Sequence, residues 1–215
     1  MSKIPIYQFR AELTGSKPKV WRFFEVLDNI KLSTFCYTLM SMFEMRGIHL
    51  FSLEYLGKNN LREDSMLFEF IYDTFGLDSY SRRQILNPNK FTLKQITTET
   101  GAAFRLIYDF GDDWRVRAKL IKTYIDPNAK SGSFPRVLRG RGSGIVENSG
   151  GVHRLQYLAQ ISEENDDSQD LDLEDQLSLS ALNNGSFDRD WINRNLKRDI
   201  ADLTKKYKGC PDFMG

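Results

Sequence analysis

The sequence predicts an α+β fold: a single domain on a mainly antiparallel sheet, with helices packed on it. Three observations lead there. Strand-like runs of period two follow one another through the first two thirds of the chain, and helical patterns stand singly between them. Pairs of these runs are joined by turn residues at hairpin spacing. No strand, glycine-rich turn and helix succeed one another in the phosphate-binding order of a doubly wound parallel sheet.

The elements read in order as follows. Tyr7, Phe9, Ala11 and Leu13 alternate in a first strand, Gly15-Ser16-Lys17-Pro18 breaks it, and Val20 to Val26 returns as a second. Trp21 and Phe23 lie opposite Arg22 and Phe24 in that return strand. Ser33 or Thr34 can cap a helix running to about Arg46, with Phe35, Leu39, Met42 and Phe43 on its core face and Gly47 as its stop. His49 to Tyr55 forms a strand with His49, Phe51, Leu53 and Tyr55 on one face, and Met66 to Tyr72 a further one. Residues 73–88 are expected to be irregular or briefly helical, and Leu93 to Thr98 to make one or two helical turns.

The most informative segment is the hairpin that follows. Phe104, Leu106 and Tyr108 alternate with Arg105 and Ile107, and Trp114, Val116, Ala118 and Leu120 alternate with Arg115, Arg117 and Lys119. Between them Asp109-Phe110-Gly111-Asp112-Asp113 makes an acidic turn in which Gly111 is expected to supply the permissive backbone. Trp114 is expected to anchor the core with its indole N–H bonded. A glycine- and arginine-rich stretch then leads to Gly150-Gly151 and a helix from about Val152 to Ser162. Residues 163–175 hold eight acidic and no basic side chains, a self-repelling composition expected to stay solvated. The last helix opens near Ser186 or Asp188, packs back through Trp191, Ile192, Leu196 and Ile200, and closes on Lys205, Lys206 and Lys208. The chain therefore divides into an α+β core over 1–162, an acidic connector over 163–185 and a C-terminal helix over 186–215.

Composition narrows the class. Fifteen Phe, nine Tyr and three Trp supply enough apolar bulk for one substantial core and argue against extended disorder. Thirty basic residues against 29 acidic ones argue against a uniformly cationic nucleic-acid binder, leaving room for local asymmetry. The two cysteines, Cys36 and Cys210, stand in no metal-ligand or redox spacing, and Cys36 reads as buried filler. With no apolar leader and no run long enough to span a bilayer, the expectation is a reducing, cytoplasmic setting without a membrane.

In order along the chain, Pro18-x-Val20-Trp21-Arg22, Gly47-Ile48-His49-Leu50-Phe51, Tyr108-Asp109-Phe110-Gly111-Asp112-x-Trp114, Gly140, Glu147-Asn148-Ser149-Gly150-Gly151 and Phe187-Asp188 resemble the plasmid Ri ORF-3-like proteins. These proteins occur on mobile elements and are often labelled transposon passenger or resolvase-like. The resemblance implies an α+β fold and no agreed activity. Val116 stands where the family usually has histidine, and Ile145-Val146-Glu147-Asn148 where it usually reads Pro-Pro-Glu-Asp.

Two chemistries can be read from the residues. Oxygen ligands for a hard divalent cation are offered by Asp109, Asp112 and Glu147, with His49 as a further candidate metal ligand, and would suit a divalent-metal-dependent hydrolase or nuclease. Alternatively Arg115, Arg117 and Lys119 on one strand face, with Arg139 and Arg141 further on, could bind polyanions, and the helix entry at Gly150 and Gly151 could hold an anion. The reading adopted is a non-enzymatic cytosolic binding protein of mobile-element or phage/plasmid biology that needs no cofactor and recognises a protein or nucleic acid, the metal-dependent enzyme being the alternative.

Overall fold

The structure is a computed structural model and describes residues 4–58, 65–70, 85–164, 173–184 and 186–208. Its frame is one eight-stranded sheet formed by β1 (Ile6–Leu13), β2 (Trp21–Leu27), β3 (Phe51–Gly57), β4 (Met66–Glu69), β5 (Ile85–Leu86), β6 (Ala103–Tyr108), β7 (Trp114–Tyr124) and β8 (Arg136–Arg141). The strands lie in the order β5-β4-β3-β6-β7-β1-β2-β8, and every pairing is antiparallel except the short β4–β5 contact. The helices are α1 (Leu32–Met42), α2 (Leu93–Ile96), α3 (Gly151–Glu164), α4 (Leu173–Asn184) and α5 (Arg189–Tyr207). The α+β expectation is met. No helix among the described residues is long and apolar enough to cross a membrane.

One face of the sheet carries the core. Phe9, Phe24, Phe104, Leu106, Trp114, Val116 and Leu120 are buried there against α1, whose Phe35 ring meets those of Phe9 at 5.0 Å and Phe104 at 5.3 Å. The α5 helix lies across α1 and the edge strand β8. Tyr207 stacks on Tyr37 of α1, and the Asn193 amide both donates to Val137 O and accepts from Val137 N–H, each at 2.8 Å. That reciprocal pair blunts an otherwise open edge.

Several local expectations are corrected by long-range contacts. Neither Ser33 nor Thr34 caps α1. The N-cap is Lys31, and the first N–H groups of the helix, on Leu32 and Ser33, donate to Phe91 O and Pro88 O of the loop before α2. The helix stops at Met42, short of Arg46, because Glu44 takes a left-handed φ of 61° and the Phe43 carbonyl accepts from Ile145 N–H. His49 lies before β3 instead of within it. The final helix begins as read, with the Asp188 carboxylate accepting from Asp190 and Trp191 N–H. Ile192, Leu196, Leu203 and Tyr207 are its buried residues, whereas Trp191 is 46% exposed. Half of the proposed connector is α4, whose Asp175 pairs with Arg154 of α3 through both carboxylate oxygens at 2.9 Å. Residues 165–172, most of the acidic run, and Cys210 lie outside the described residues, as does 71–84, on which the end of the fourth predicted strand falls. Cys36 is fully buried, and burial pushes its thiol pKa up, as suits core filler.

Candidate functional site

The acidic turn is built differently from its sequence reading. Gly111 is not the left-handed residue; Asp109 (φ 57°) and Asp113 (φ 54°) are. Asp109 Oδ1 accepts from Gly111 N–H at 3.0 Å and Asp112 N–H at 3.3 Å, so one of its oxygens holds the turn itself. Asp113 pairs in bidentate fashion with Arg115, at 2.8 and 2.6 Å. The Asp112 carboxylate leaves the turn altogether and accepts from Gly150 N–H at 3.2 Å, at the entry to α3. The helix start read as an anion site at Gly150 and Gly151 is thus served by the protein's own carboxylate. Gly151 is compelled by contact as well as by its φ of 80°: a Cβ there would lie 2.1 Å from Asp112 O. Trp114 is buried as expected, yet its indole N–H has no hydrogen-bond partner, contrary to the sequence reading.

Beside this turn, His49, Asp109, Glu147 and Asn148 come together from three separate segments. His49 Nε2 lies 3.0 Å from Asn148 Oδ1, 3.3 Å from Asp109 Oδ2 and 3.7 Å from Glu147 Oε2. Glu147 Oε1 accepts from Tyr108 Oη–H at 2.9 Å and Arg46 N–H at 2.6 Å, while Tyr108 Oη accepts from Ile48 N–H at 3.2 Å. Desolvation, then the hydrogen bond to Glu147, raises the Tyr108 pKa. Glu147 Oε2 is buried without a hydrogen-bond partner, a situation costing about 1–3 kcal/mol or more for a charged group. Three of the four residues read as metal ligands therefore meet, and Asp112 does not join them. Among the described residues, no group of three or more His, Cys, Asp and Glu side chains could hold a metal ion.

The basic residues fare differently. Because β7 and β8 flank β1 and β2 in the sheet, Arg115, Arg117 and Lys119 share the face away from the core with Arg139 and Arg141. The register orders them into two rows. Lys119 faces Arg10 of β1, Arg10 faces Phe23 of β2, and Phe23 faces Arg139 of β8. Two residues along, Arg105 of β6 faces Arg117, followed by Glu12, Trp21 and Arg141. The rows hold six cations and one carboxylate, Glu12, which Arg10 and Lys19 reach at 3.1 and 3.3 Å. From β7 to β8 each row spans about 14 Å, three strand spacings. The Arg10 guanidinium stands 5.3 Å from the Trp21 ring centre, and that of Arg139 4.8 Å from Phe23.

Arg10, Arg105, Trp21 and Phe23 were missing from the sequence reading of this surface. A signal was present in β2: Trp21 and Phe23 occupy the phase opposite Phe24 and Val26. Arg22 hides it, for this cation sits on the core phase, fully buried. It donates to Met42 O, Trp21 O and Arg141 O at 2.8–3.0 Å and lies between the rings of Phe43 and Phe187. Burial lowers its pKa to about 10, with Glu44 acting in the opposite direction.

A fold of this kind exists in a solved structure. A protein of unknown function from Methanosarcina mazei Go1 matches with a TM-score of 0.62 at 20% identity, over 79% of this chain and 87% of that one, a likeness of fold alone. The comparison with curated proteins finds no match. The family match is extensive: the plasmid pRiA4b ORF-3-like protein family aligns with residues 5–196, and the chain belongs to that family. The signature pieces fall into two places in the fold. Arg22, Gly140 and Phe187 meet in the buried guanidinium clamp, and His49, Tyr108, Asp109, Asp112, Glu147, Asn148, Gly150 and Gly151 meet around the acidic turn.

Proposed function

We propose that this protein binds single-stranded nucleic acid on the open face of its sheet, as a recognition protein that breaks no bond. The observation that carries the reading is the registered pair of rows across β7, β1, β2 and β8. Cations alone would suit any acidic partner. Rings set between them favour nucleic acid, because successive bases stack on aromatic side chains while arginine and lysine follow the phosphates. A broad face of this shape suits unpaired bases better than the grooves of a duplex. The plasmid association of the family accords with such a partner.

The donor arrangement around the acidic turn gives the hydrolase alternative less support. Asp112 and one oxygen of Asp109 are engaged by backbone N–H groups, and Asp113 by Arg115. The test is fluorescence anisotropy with labelled oligothymidylate and a duplex of equal length. Binding is expected to favour the single strand, and Trp21→Ala to weaken it by about 1–3 kcal/mol. Equal affinity for both, unaffected by Trp21→Ala, would remove the basis for the proposal.

A further inference from the structure

The face of the sheet away from the core is hollowed over β1 and β7, in a pocket of about 460 Å3. Arg10, Glu12 and Thr14 line it from the β1 side, and Arg117 and Lys119 from β7. Three cations against one carboxylate leave two positive charges over. Register fixes where they stand. Arg10 and Lys119 are direct cross-strand partners, and like charges so placed destabilise an antiparallel pair. The carboxylate of Glu12 faces Arg117 instead, and it is shared between Arg10 at 3.1 Å and Lys19, outside the pocket, at 3.3 Å. Lys119 is exposed and makes no ion pair among the described residues. An anion seated between Arg10 and Lys119 turns their repulsion into attraction.

We infer that this pocket holds a terminal phosphate monoester of the bound strand, an inference that rests on the single-strand reading above. An internal phosphodiester carries a single negative charge. A monoester at neutral pH carries about 1.5–2 and presents three strong acceptor oxygens, which suits the two uncompensated cations. Arg117 and Lys119 supply donors, Thr14 a hydroxyl, and Arg10 the N–H groups beyond the one that Glu12 occupies. The same Arg10 guanidinium stands 5.3 Å from the Trp21 ring centre. From the midline between β7 and β1 to β2 is one and a half strand spacings, about 7 Å, within the reach of one nucleotide. The nucleotide that carries the phosphate thus rests its base on Trp21, and the face reads the end of a strand as well as its length.

The experiment is fluorescence anisotropy of the full chain with oligothymidylates labelled on an internal base and ending in hydroxyls, in a 5′-phosphate or in a 3′-phosphate. One phosphorylated strand is expected to bind about tenfold tighter than the hydroxyl-ended strand, and which of the two does so assigns the end. Lys119→Gln, at an exposed position, brings that ratio to about twofold or less. Arg141→Gln, on β8 outside the pocket, weakens all three strands alike and leaves the ratio as it was. Equal binding of the three strands by the parent chain overturns the end site and leaves the sheet-face reading standing, whereas binding of none removes both. A ratio unchanged in Lys119→Gln also overturns the inference, because the gain is then the general effect of added charge.

Discussion

The Arg22 guanidinium stands 5.0 Å from the centre of the Phe187 ring, so a cation of β2 holds the residue just ahead of α5. Its second ring, Phe43, is 5.1 Å away at the end of α1, and the clamp therefore joins the sheet to both main helices. Arg22→Met would leave the buried Met42 carbonyl and the part-buried carbonyls of Trp21 and Arg141 without this donor and is expected to cost about 3 kcal/mol. Phe187→Ala is expected to cost about 1–3 kcal/mol through lost packing and cation–π contact. A Cβ on Gly140 would fall 2.7 Å from the Phe187 ring and 2.8 Å from Trp21 O, so the Phe187→Ala background should relieve the first clash and only part of the cost of Gly140→Ala. Urea midpoints of the single and double variants give the coupling directly.

Alkaline pH acts on the fold through two buried phenols, Tyr7 and Tyr108, and a half-buried one, Tyr124. Tyr7, Tyr108 and Tyr124 all have pKa values raised above the ordinary 10.0, in each case chiefly by desolvation. An acid whose folded pKa is raised keeps its proton in the native state after the unfolded chain has lost it. Its stabilising contribution is complete below pH 10 and is lost as pH rises through the folded value. Arg22 has the opposite sign, its lowered value relieving a buried charge as pH rises above about 10. Tyr108→Phe should flatten the decline in stability above pH 10, as read from unfolding curves beside the phenolate absorbance.

The junction between the acidic turn and α3 admits little change. Gly151→Ala combines a φ of 80° with a 2.1 Å approach to Asp112 O and is expected to cost several kcal/mol, beyond about 3. Asp112→Ala removes only the Gly150 partner and should cost about 1 kcal/mol, as a lost helix cap does. Thermal denaturation should rank the two variants in that order, with a gap of several degrees.

The alternating runs were legible because each strand has one buried face, which fixes its period. The hairpin of β6 and β7 and the start of α5 at Asp188 needed only local sequence. The end of α1 did not, for it is set by Glu44 and by Ile145, about a hundred residues downstream. Gly111 misled because Asp also tolerates the left-handed region when its carboxylate bonds the turn, and here Asp109 does so. In the candidate surface, Arg115, Arg117 and Lys119 could be grouped by phase alone. Their alignment with Arg139 and Arg141 depends on β1 and β2 lying between, a strand order that no local pattern encodes.

The most direct test of the sheet face is the salt dependence of oligothymidylate binding. Single strands lose affinity with a log–log slope of about −0.7 per neutralised phosphate, so the six cations of the two rows predict about −4. Replacing Arg10, Arg117 and Arg139 together by glutamine should bring the slope to about −2 and weaken binding throughout. A slope near zero for the parent chain, or one unchanged in the triple variant, would contradict the account.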